Sequence, residues 1–287
     1  MFQLSPDGIR FIAAATAAST AETCTLPIDC IKVRLQTQGM LGGLQYSGMF
    51  HAMENIVQKE GTLALWKGFV PAIGRQVFYS SMAMMLYDPF RAYFAPGETS
   101  TFGQKIMAGG CAGAVSIALA NPLDVVKVRL QADRAGRNGT RVYRHVFHAF
   151  QTIMAKEGVR GLFKGVGPNV QRGFIVNAAE LGVYDQSKES LTTAGITGTA
   201  AHLGGSCIAG LSGAIASNPM DVIKTRLMAQ PSGKEAYYCG IIDCFFKTVQ
   251  KEGPLALYQG FLPNWMRKGP FCILFFMTYE QSKALLE

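Results

Sequence analysis

Three copies of one charged phrase are the most informative feature of this chain. Each copy has a proline, an aspartate two residues later, and then a lysine and an arginine separated by one residue. The copies begin at Pro27, Pro122 and Pro219, at intervals of 95 and 97 residues. Each copy closes a run of small and apolar residues, where isolated charges are costly unless they are paired. The phrase therefore predicts charges that need ionic partners.

A second charged phrase lies later in each copy. Tyr87, Tyr184 and Tyr279 are each followed by an acidic residue and, three residues after the acid, by a cation. An acid and a cation at this spacing share one face of a helix. A solvated helix end would explain one such phrase, but three copies in register indicate a common structural role.

Threefold repetition places these charges in two rings, one at each end of a barrel of helices. The first ring comprises Asp29, Lys32, Asp124, Lys127, Asp221 and Lys224. The second ring comprises Asp88, Arg91, Asp185, Lys188, Glu280 and Lys283. Two rings that cannot be complete at the same time would close the barrel at one end or at the other, as alternating access around a central site requires.

The period predicts how the elements are arranged around these charges. An internal repeat of nearly one third of the chain indicates a triplicated unit within a single domain, 1–287, with repeats at approximately 9–95, 103–192 and 201–287. Each repeat has two apolar runs of about 20–25 residues, which suit a bilayer crossing. A polar loop and a short amphipathic segment join them. We therefore expect an all-α membrane protein with six spanning helices and both termini on the same side.

The composition agrees with helices that line a polar cavity. Hydrophobic residues make up 49% of the 287 residues and charged residues only 16%, below the roughly 25% of soluble domains. The mean hydropathy of +0.17 is low for a membrane protein, as expected when one face of each helix is polar. The 32 glycines include patterns that let helix backbones approach closely within a bilayer.

Several other functions are not supported by the sequence. The net charge is +8, but no basic cluster with interleaved aromatic residues predicts nucleic-acid binding. No nucleophile–base pattern or cofactor loop predicts an enzyme or a catalytic residue. His145 and His148 have no evident third ligand and predict no metal site. The seven cysteines form no Cys-x-x-Cys pair and predict reduced, packed thiols.

Three arginines are candidates for ligand binding. Arg75, Arg172 and Arg267 each follow a proline by four residues, near the start of the second helix of a repeat. An uncompensated arginine within a membrane is a functional candidate because its desolvation is costly. Three guanidinium groups that converge on one cavity would suit a dianion. The alternative is that these side chains extend to lipid phosphate.

These residues resemble the mitochondrial carrier family over the whole chain. The resemblance rests on the thrice-repeated Pro-x-Asp-x-x-Lys-x-Arg, on Glu-Gly, on aromatic-Lys-Gly and on the tyrosine phrase. The chain is most similar to the branch of uncoupling proteins and dicarboxylate and oxoglutarate carriers. The family fold has six transmembrane helices in three pseudo-threefold repeats with short matrix surface helices. The resemblance also implies the inner mitochondrial membrane, with both termini toward the intermembrane space.

The resemblance assigns partners within the two rings. In the first ring, as the matrix gate, the implied pairs are Asp29–Lys127, Asp124–Lys224 and Asp221–Lys32. In the second ring, as the gate on the intermembrane-space side, they are Arg91–Asp185, Lys188–Glu280 and Lys283–Asp88. Gln36 and Gln131 match glutamine braces beneath the first ring, where the third repeat has Met228 instead. Tyr87, Tyr184 and Tyr279 match tyrosine braces of the second ring.

The substrate site implied by the resemblance comprises Arg75, Arg172, Arg267, Asn177 and Glu180. Arginines at these places are implicated in anion recognition and in inhibition by purine nucleotides. The family also implies cardiolipin as a bound structural lipid and no other cofactor.

Ala83 departs from the pattern, because the similar carriers have a cation there. Glu180, which would face that cation, then either pairs with another cavity arginine or is partly protonated. Glu22 is either a proton site in the cavity or part of a polar helix face.

The expected function is a secondary transporter of the inner mitochondrial membrane. It would move small anions of the dicarboxylate or oxoacid type by alternating access, or conduct protons as uncoupling proteins do. The alternative is a transport-impaired carrier fold that serves as a structural subunit or adapter of a larger membrane complex. Complete gates favour transport.

Overall fold

The computed structural model describes residues 6–41, 46–94, 102–133, 142–193, 199–231 and 236–286. Within these ranges the chain contains helices and no strand. Some side chains inside the helices are also outside the description, among them those of Asn177, Glu180 and Asp185. The sequence-based roles of these three residues therefore remain predictions.

Three helical units follow one another with the same order of elements. Six long helices dominate the described residues: α1 (Pro6–Thr37), α3 (Phe69–Phe94), α4 (Phe102–Ala132), α6 (Val166–Thr193), α7 (Thr199–Ala229) and α9 (Phe261–Leu286). Three shorter helices connect them in pairs: α2 (Met49–Glu60), α5 (Val146–Leu162) and α8 (Ile241–Glu252). Short 3-10 turns lie at Gln38–Leu41, Thr62–Trp66 and Pro254–Tyr258. The expected all-α architecture is confirmed.

The long helices form a closed ring because the repeats pack against one another. The most extensive helix contacts join α3 to α4, α6 to α7, and α9 to α1. Each of these contacts crosses from the second helix of one repeat to the first helix of the next. No repeat is therefore an independent unit, and the ring encloses a central space.

Proline interrupts the backbone hydrogen bonding of the first helix of each repeat at the start of the charged phrase. Pro27, Pro122 and Pro219 lie inside α1, α4 and α7, where proline cannot donate the usual backbone hydrogen bond. In α1 the residue four positions earlier is Thr23, and its carbonyl accepts a hydrogen bond from Trp66 Nε1 at 3.2 Å. The backbone carbonyl that proline leaves without its usual partner thus attaches the connecting segment to α1.

Glycine allows the second helix of each repeat to begin against the neighbouring repeat. Gly68, Gly165 and Gly260 have φ values of 82°, 75° and 77°, a region that other residues rarely adopt. A Cβ at Gly68 would lie 3.3 Å from the Lys127 carbonyl oxygen, and one at Gly260 would lie 3.3 Å from that of Lys32. These glycines therefore permit close contact between repeats at the level of the first ring.

Hydropathy alone detects only part of this arrangement. By length and composition, one helix in the described residues is apolar enough to cross a membrane, over Met107–Ala132, with a mean hydropathy of 1.4. The other long helices carry charged or polar residues toward the central space, and this lowers their average.

Candidate functional site

The first ring is closed by three ion pairs between repeats. Lysine and aspartate atoms lie 3.0 Å apart in Lys32–Asp221, 2.8 Å in Lys127–Asp29 and 3.2 Å in Lys224–Asp124. These are the partners that the resemblance implies. The three aspartates are buried, and the pairs join α1, α4 and α7 at one end of the barrel.

Each aspartate of the first ring also contacts an arginine. The lysine uses one carboxylate oxygen, and an arginine from α3, α6 or α9 uses the other. Arg75 Nε lies 3.3 Å from Asp124 Oδ1, Arg267 Nη1 lies 2.9 Å from Asp29 Oδ1, and Arg172 pairs with Asp221 Oδ1. The expectation of uncompensated arginines is therefore wrong, because each guanidinium already faces a carboxylate. None of the three extends to the lipid-facing surface, since all three line the central cavity.

Two asparagines complete this arrangement in the second and third repeats. Asn169 Nδ2 donates to Asp124 Oδ2 at 3.0 Å, and Asn264 Nδ2 donates to Asp221 Oδ2 at 3.1 Å. Asn264 Oδ1 also accepts a hydrogen bond from Lys32 at 2.8 Å. Ala72 occupies the corresponding place in the first repeat. Sequence reasoning missed these residues, although a Pro-Asn pair in two of three repeats was a usable signal.

Glu22 is a fourth carboxylate beside the first ring. Its side chain is 2% exposed and lies 2.6 Å from Lys127 Nζ and 2.5 Å from Arg267 Nη2. Glu22 thus bridges a cation of α4 and a cation of α9. Glu22 therefore belongs to a polar face of α1, one of the two alternatives from sequence, and the other alternative, a proton site in the cavity, stays a prediction.

The charges at this end of the barrel do not cancel. The described cluster contains three lysines and three arginines against Asp29, Asp124, Asp221 and Glu22. In their usual ionisation states these groups leave two positive charges. A small dianion in the cavity would balance them.

The central cavity has a volume of about 510 Å³ and its floor is the first ring. Its wall carries the guanidinium groups together with Gln76, Tyr79, Ile117 and Phe174. This volume suits a small organic molecule. A cationic floor beneath a mixed wall has the chemistry to hold a compact anion.

A second cavity of about 550 Å³ lies beside Ala83, between α3 and α4. Tyr79, Met84, Tyr87 and Asp88 contribute to its wall. Tyr79 also lines the central cavity, so the two spaces adjoin. Among its described lining residues none is cationic, and Asp88 is the one charged residue. The small side chain of Ala83 thus brings no positive charge to this space, where the resemblance implies a cation.

The second ring is only partly covered by the described side chains. Asp88, Arg91 and Glu280 are exposed, and no ion pair joins Lys188 to Glu280 in the part of the chain that the structure describes. Lys283 is half-buried. The pair of Arg91 with Asp185 lies outside the described side chains. The first ring therefore closes one end of the barrel, and the described acids of the second ring are exposed at the other end.

The glutamines that match the braces do not hydrogen-bond the ion pairs. Gln36 Oε1 accepts a hydrogen bond from Thr225 at 2.8 Å. The side-chain amide of Gln131 is buried and has no hydrogen-bond partner among the described residues. Both side chains instead pack under the glycines that begin α9 and α3. Of the tyrosines, Tyr279 stacks on Phe275 with ring centroids 6.2 Å apart, and Tyr87 lines the second cavity.

A further set of arginines ties the repeats together below the first ring. These are the last residues of the charged phrases, and sequence reasoning assigned them no role. Arg34 Nε donates to the carbonyl of Gln131 at 3.1 Å, and Arg226 Nε donates to the carbonyl of Gln36 at 3.0 Å. Arg129 Nε makes the same contact with the carbonyl of Met228 at 3.0 Å. Since all three arginines are buried, they form a second threefold set of links between repeats.

Each of these arginines is held by the glutamate of a Glu-Gly phrase. Arg34 binds both carboxylate oxygens of Glu60, and Lys67 Nζ lies 2.5 Å from the same carboxylate. Burial alone would raise the pKa of Glu60, but the hydrogen bonds from Arg34 and Lys67 outweigh it and lower this pKa to about 2. The third repeat has Gln259 in place of the lysine, so Glu252 is held by Arg226 without that second cation.

Other residues singled out from sequence have structural explanations. His145 caps the start of α5, where its Nδ1 accepts a hydrogen bond from the His148 backbone at 3.0 Å. Cys24, Cys239 and Cys272 are exposed, so the expectation that the cysteines are packed is wrong for these three. The basic loop 134–144 lies mostly outside the described residues.

The family model and the similar proteins found by comparison agree with one another. The family model described as mitochondrial carrier protein matches residues 5–97, 98–195 and 197–287. Mitochondrial uncoupling protein 1 of Arabidopsis thaliana is 39% identical, over 95% of this chain and 92% of its own. Kidney mitochondrial carrier protein 1 of Xenopus laevis is 41% identical, over 96% of this chain and 97% of its own. Putative mitochondrial transporter UCP3 of Rattus norvegicus is 39% identical, over 97% of this chain and 92% of its own.

Proposed function

The chain belongs to the mitochondrial carrier family, whose members are transporters, and we propose that it exchanges small dianions across the inner mitochondrial membrane. The observation that carries this proposal is the cluster of six cations and four carboxylates at the cavity floor. Its two excess positive charges favour a ligand with two negative charges, such as a dicarboxylate or an oxoacid.

Alternating access is supported by a difference between the two rings in ion pairing and exposure. The three pairs of the first ring are made, whereas Asp88, Arg91 and Glu280 of the second ring are exposed. A carrier in this state receives its substrate from the side of the second ring. Binding between the arginines and the aspartates would loosen the first ring, because the anion competes with Asp124 and Asp221 for the same guanidinium groups.

The complete first ring favours transport over a role as a structural adapter. An adapter needs no set of ion pairs that holds one end of a barrel closed. Glu22 is engaged by Lys127 and Arg267, so anion exchange is better supported than proton conductance of the uncoupling type. Purine nucleotide inhibition and bound cardiolipin remain expectations from the family. We place both termini toward the intermembrane space and the short helices in the matrix.

Reconstitution tests this proposal. Purified protein in liposomes would be loaded with malate and tested with labelled malate, oxoglutarate, phosphate, sulfate and aspartate, while a pH-sensitive dye records proton movement. We expect saturable uptake of a dianion that requires an anion inside. Proton movement without any anion exchange, or no movement at all, would contradict the proposal.

Orientation has a separate test at Cys239, which is exposed next to α8. A membrane-impermeant thiol reagent should modify Cys239 in mitoplasts made permeable to expose the matrix, and not in intact mitoplasts. The part of the labelling that is lost in the variant Cys239→Ser is the part that comes from Cys239. Equal modification in intact mitoplasts would place this end of the barrel on the opposite side.

A further inference from the structure

Arg267 differs from the other two cavity arginines in how fully its nitrogen atoms are occupied. Nη1 lies 2.9 Å from Asp29, Nη2 lies 2.5 Å from Glu22, and Nε lies 3.4 Å from Thr25 Oγ1. The guanidinium also stands 5.5 Å from the ring centroid of Phe271. All three nitrogens of Arg267 thus already have an acceptor from the protein.

Arg75 and Arg172 have fewer acceptors than Arg267 among the described residues. Arg75 makes one ion pair, with Asp124, and donates one further hydrogen bond to Gln76 at 3.2 Å. Among the described side chains, Arg172 makes one ion pair, with Asp221. A guanidinium group has five N–H donors, so both arginines keep donors that no acceptor in the described part of the site uses.

Glu22 is the residue that makes this difference. Its carboxylate lies behind Arg267, since Glu22 is 1% exposed and is not among the residues that line the central cavity. The residue seven positions before the ring aspartate is Glu22 in the first repeat, Ile117 in the second and Ala214 in the third. The first repeat is therefore the one of the three that has a carboxylate at this position, and this carboxylate breaks the threefold symmetry of the cluster.

We propose that Glu22 is a positioning residue that withholds Arg267 from the transported anion. The anion is then bound by Arg75 and Arg172, off the pseudo-threefold axis, while Arg267 serves the first ring. This inference rests on the proposed function and names the part of the site that binds the anion. Glu22 also limits the charge that the site attracts, because it neutralises one cation of the cluster.

Replacing Glu22 by glutamine keeps its size and removes its charge. Arg267 is then held by a neutral acceptor in place of a carboxylate and can turn more easily toward the cavity, and the excess charge of the cluster rises by one. We expect Glu22→Gln to lower the KM for malate about threefold to tenfold, the range expected for one added charge-assisted hydrogen bond to a partly solvated group. Glu22→Asp keeps the charge and should retain a KM near that of the unmodified protein.

Matched variants separate positioning from general electrostatics. Glu54→Gln removes an exposed carboxylate on α2 and should leave the KM unchanged. Arg172→Gln should raise the KM for malate by about tenfold or more, and Arg267→Gln should raise it clearly less, because it removes a cation that Glu22 and Asp29 already engage. In the double variant Glu22→Gln with Arg267→Gln, the gain from Glu22→Gln should disappear, since it acts through Arg267.

The experiment has two measurements, so that two failures can be told apart. Malate exchange in liposomes reports transport, and the rise in melting temperature that malate or sulfate induces in the solubilised protein reports binding. Exchange that is absent in the unmodified protein would refute the proposed function alone. A Glu22→Gln protein that folds and binds malate no more tightly than the unmodified protein would overturn the role of Glu22. Equal losses of malate binding in Arg172→Gln and Arg267→Gln would overturn it as well. If Glu22→Gln does not fold, the comparison of Arg172→Gln with Arg267→Gln tests the role of Glu22.

Discussion

Lys127 Nζ lies 2.8 Å from Asp29 Oδ2 across the boundary between the first and second repeats. The other oxygen of the same carboxylate is 2.9 Å from Arg267 of the third repeat. One aspartate thus joins three repeats, and Asp124 and Asp221 repeat this pattern. The closed end of the barrel depends on three carboxylates that each hold two cations.

Removing an aspartate of the first ring should cost more than removing its lysine. Asp124→Asn leaves both Lys224 and Arg75 without their carboxylate, whereas Lys224→Gln leaves the pair of Arg75 with Asp124 intact. We expect Asp124→Asn to destabilise the protein by about 3 kcal/mol and Lys224→Gln to cost clearly less. Thermal unfolding of both variants, at equal detergent and lipid, measures the difference. An equal or larger loss for Lys224→Gln would show that the aspartates do not have this double role.

Ala83 should control which anions the cavity prefers. The space beside it adjoins the central cavity and has no described cationic side chain. Ala83→Arg would add a positive charge there, so the ratio of uptake of malate to that of singly charged anions should rise about threefold or more. Ala83→Gln is the control, because it adds similar bulk without charge. An equal shift in both variants would mean that volume, not charge, sets the preference.

Glu60 should make the protein sensitive to acid. Its pKa is lowered from 4.5 to about 2 by Arg34 and Lys67, so the folded state binds a proton less readily than the unfolded state. The resulting stability is complete above pH 4.5 and is lost as the pH falls toward 2. The melting temperature of the unmodified protein should therefore exceed that of Glu60→Gln by a constant amount above pH 4.5, and the gap should narrow below it. A gap that does not change with pH would exclude this pairing. Glu54→Gln, at an exposed site on the same helix, should show no such gap.

Gly39 should tolerate no larger residue, because the Glu252 carboxylate lies against it. A Cβ at Gly39 would lie 2.0 Å from Glu252 Oε2, and both oxygens of this carboxylate are held by Arg226. Gly39→Ala must displace Glu252 from Arg226, and we expect a loss of about 2 kcal/mol in the free energy of unfolding. At Gly48 a Cβ would meet nothing within 4 Å, so Gly48→Ala is the control. Equal stability of the two variants would show that Glu252 moves away without cost.

Much of the fold could be predicted from the sequence because the same pattern recurs in each of the three repeats. A single Pro-x-Asp-x-x-Lys-x-Arg phrase is ambiguous, but three copies in register place three helices with the same face toward a common axis. The partners within the first ring followed from the family resemblance, and the structure forms those pairs. The short amphipathic segment that was expected between the two apolar runs of the first repeat is the helix Met49–Glu60.

Departures from threefold symmetry were harder to predict. The contacts of Glu22 with Lys127 and Arg267 depend on how α1, α4 and α9 meet, and no spacing within one helix reveals such a meeting point. The arginines of the cavity were expected to be uncompensated for the same reason, since their carboxylate partners come from another repeat. The contacts of Arg34 with the Gln131 carbonyl were also missed, because a backbone acceptor leaves no mark in the sequence.

Counter-exchange of labelled malate by purified protein in liposomes tests the transport function most directly. Unmodified protein and Arg172→Gln would be compared at equal protein content, with and without malate inside. We predict saturable uptake that requires internal malate in the unmodified protein and a KM raised about tenfold or more in Arg172→Gln. Absence of exchange with malate and with the other anions named above, in protein that unfolds cooperatively, would contradict an anion carrier.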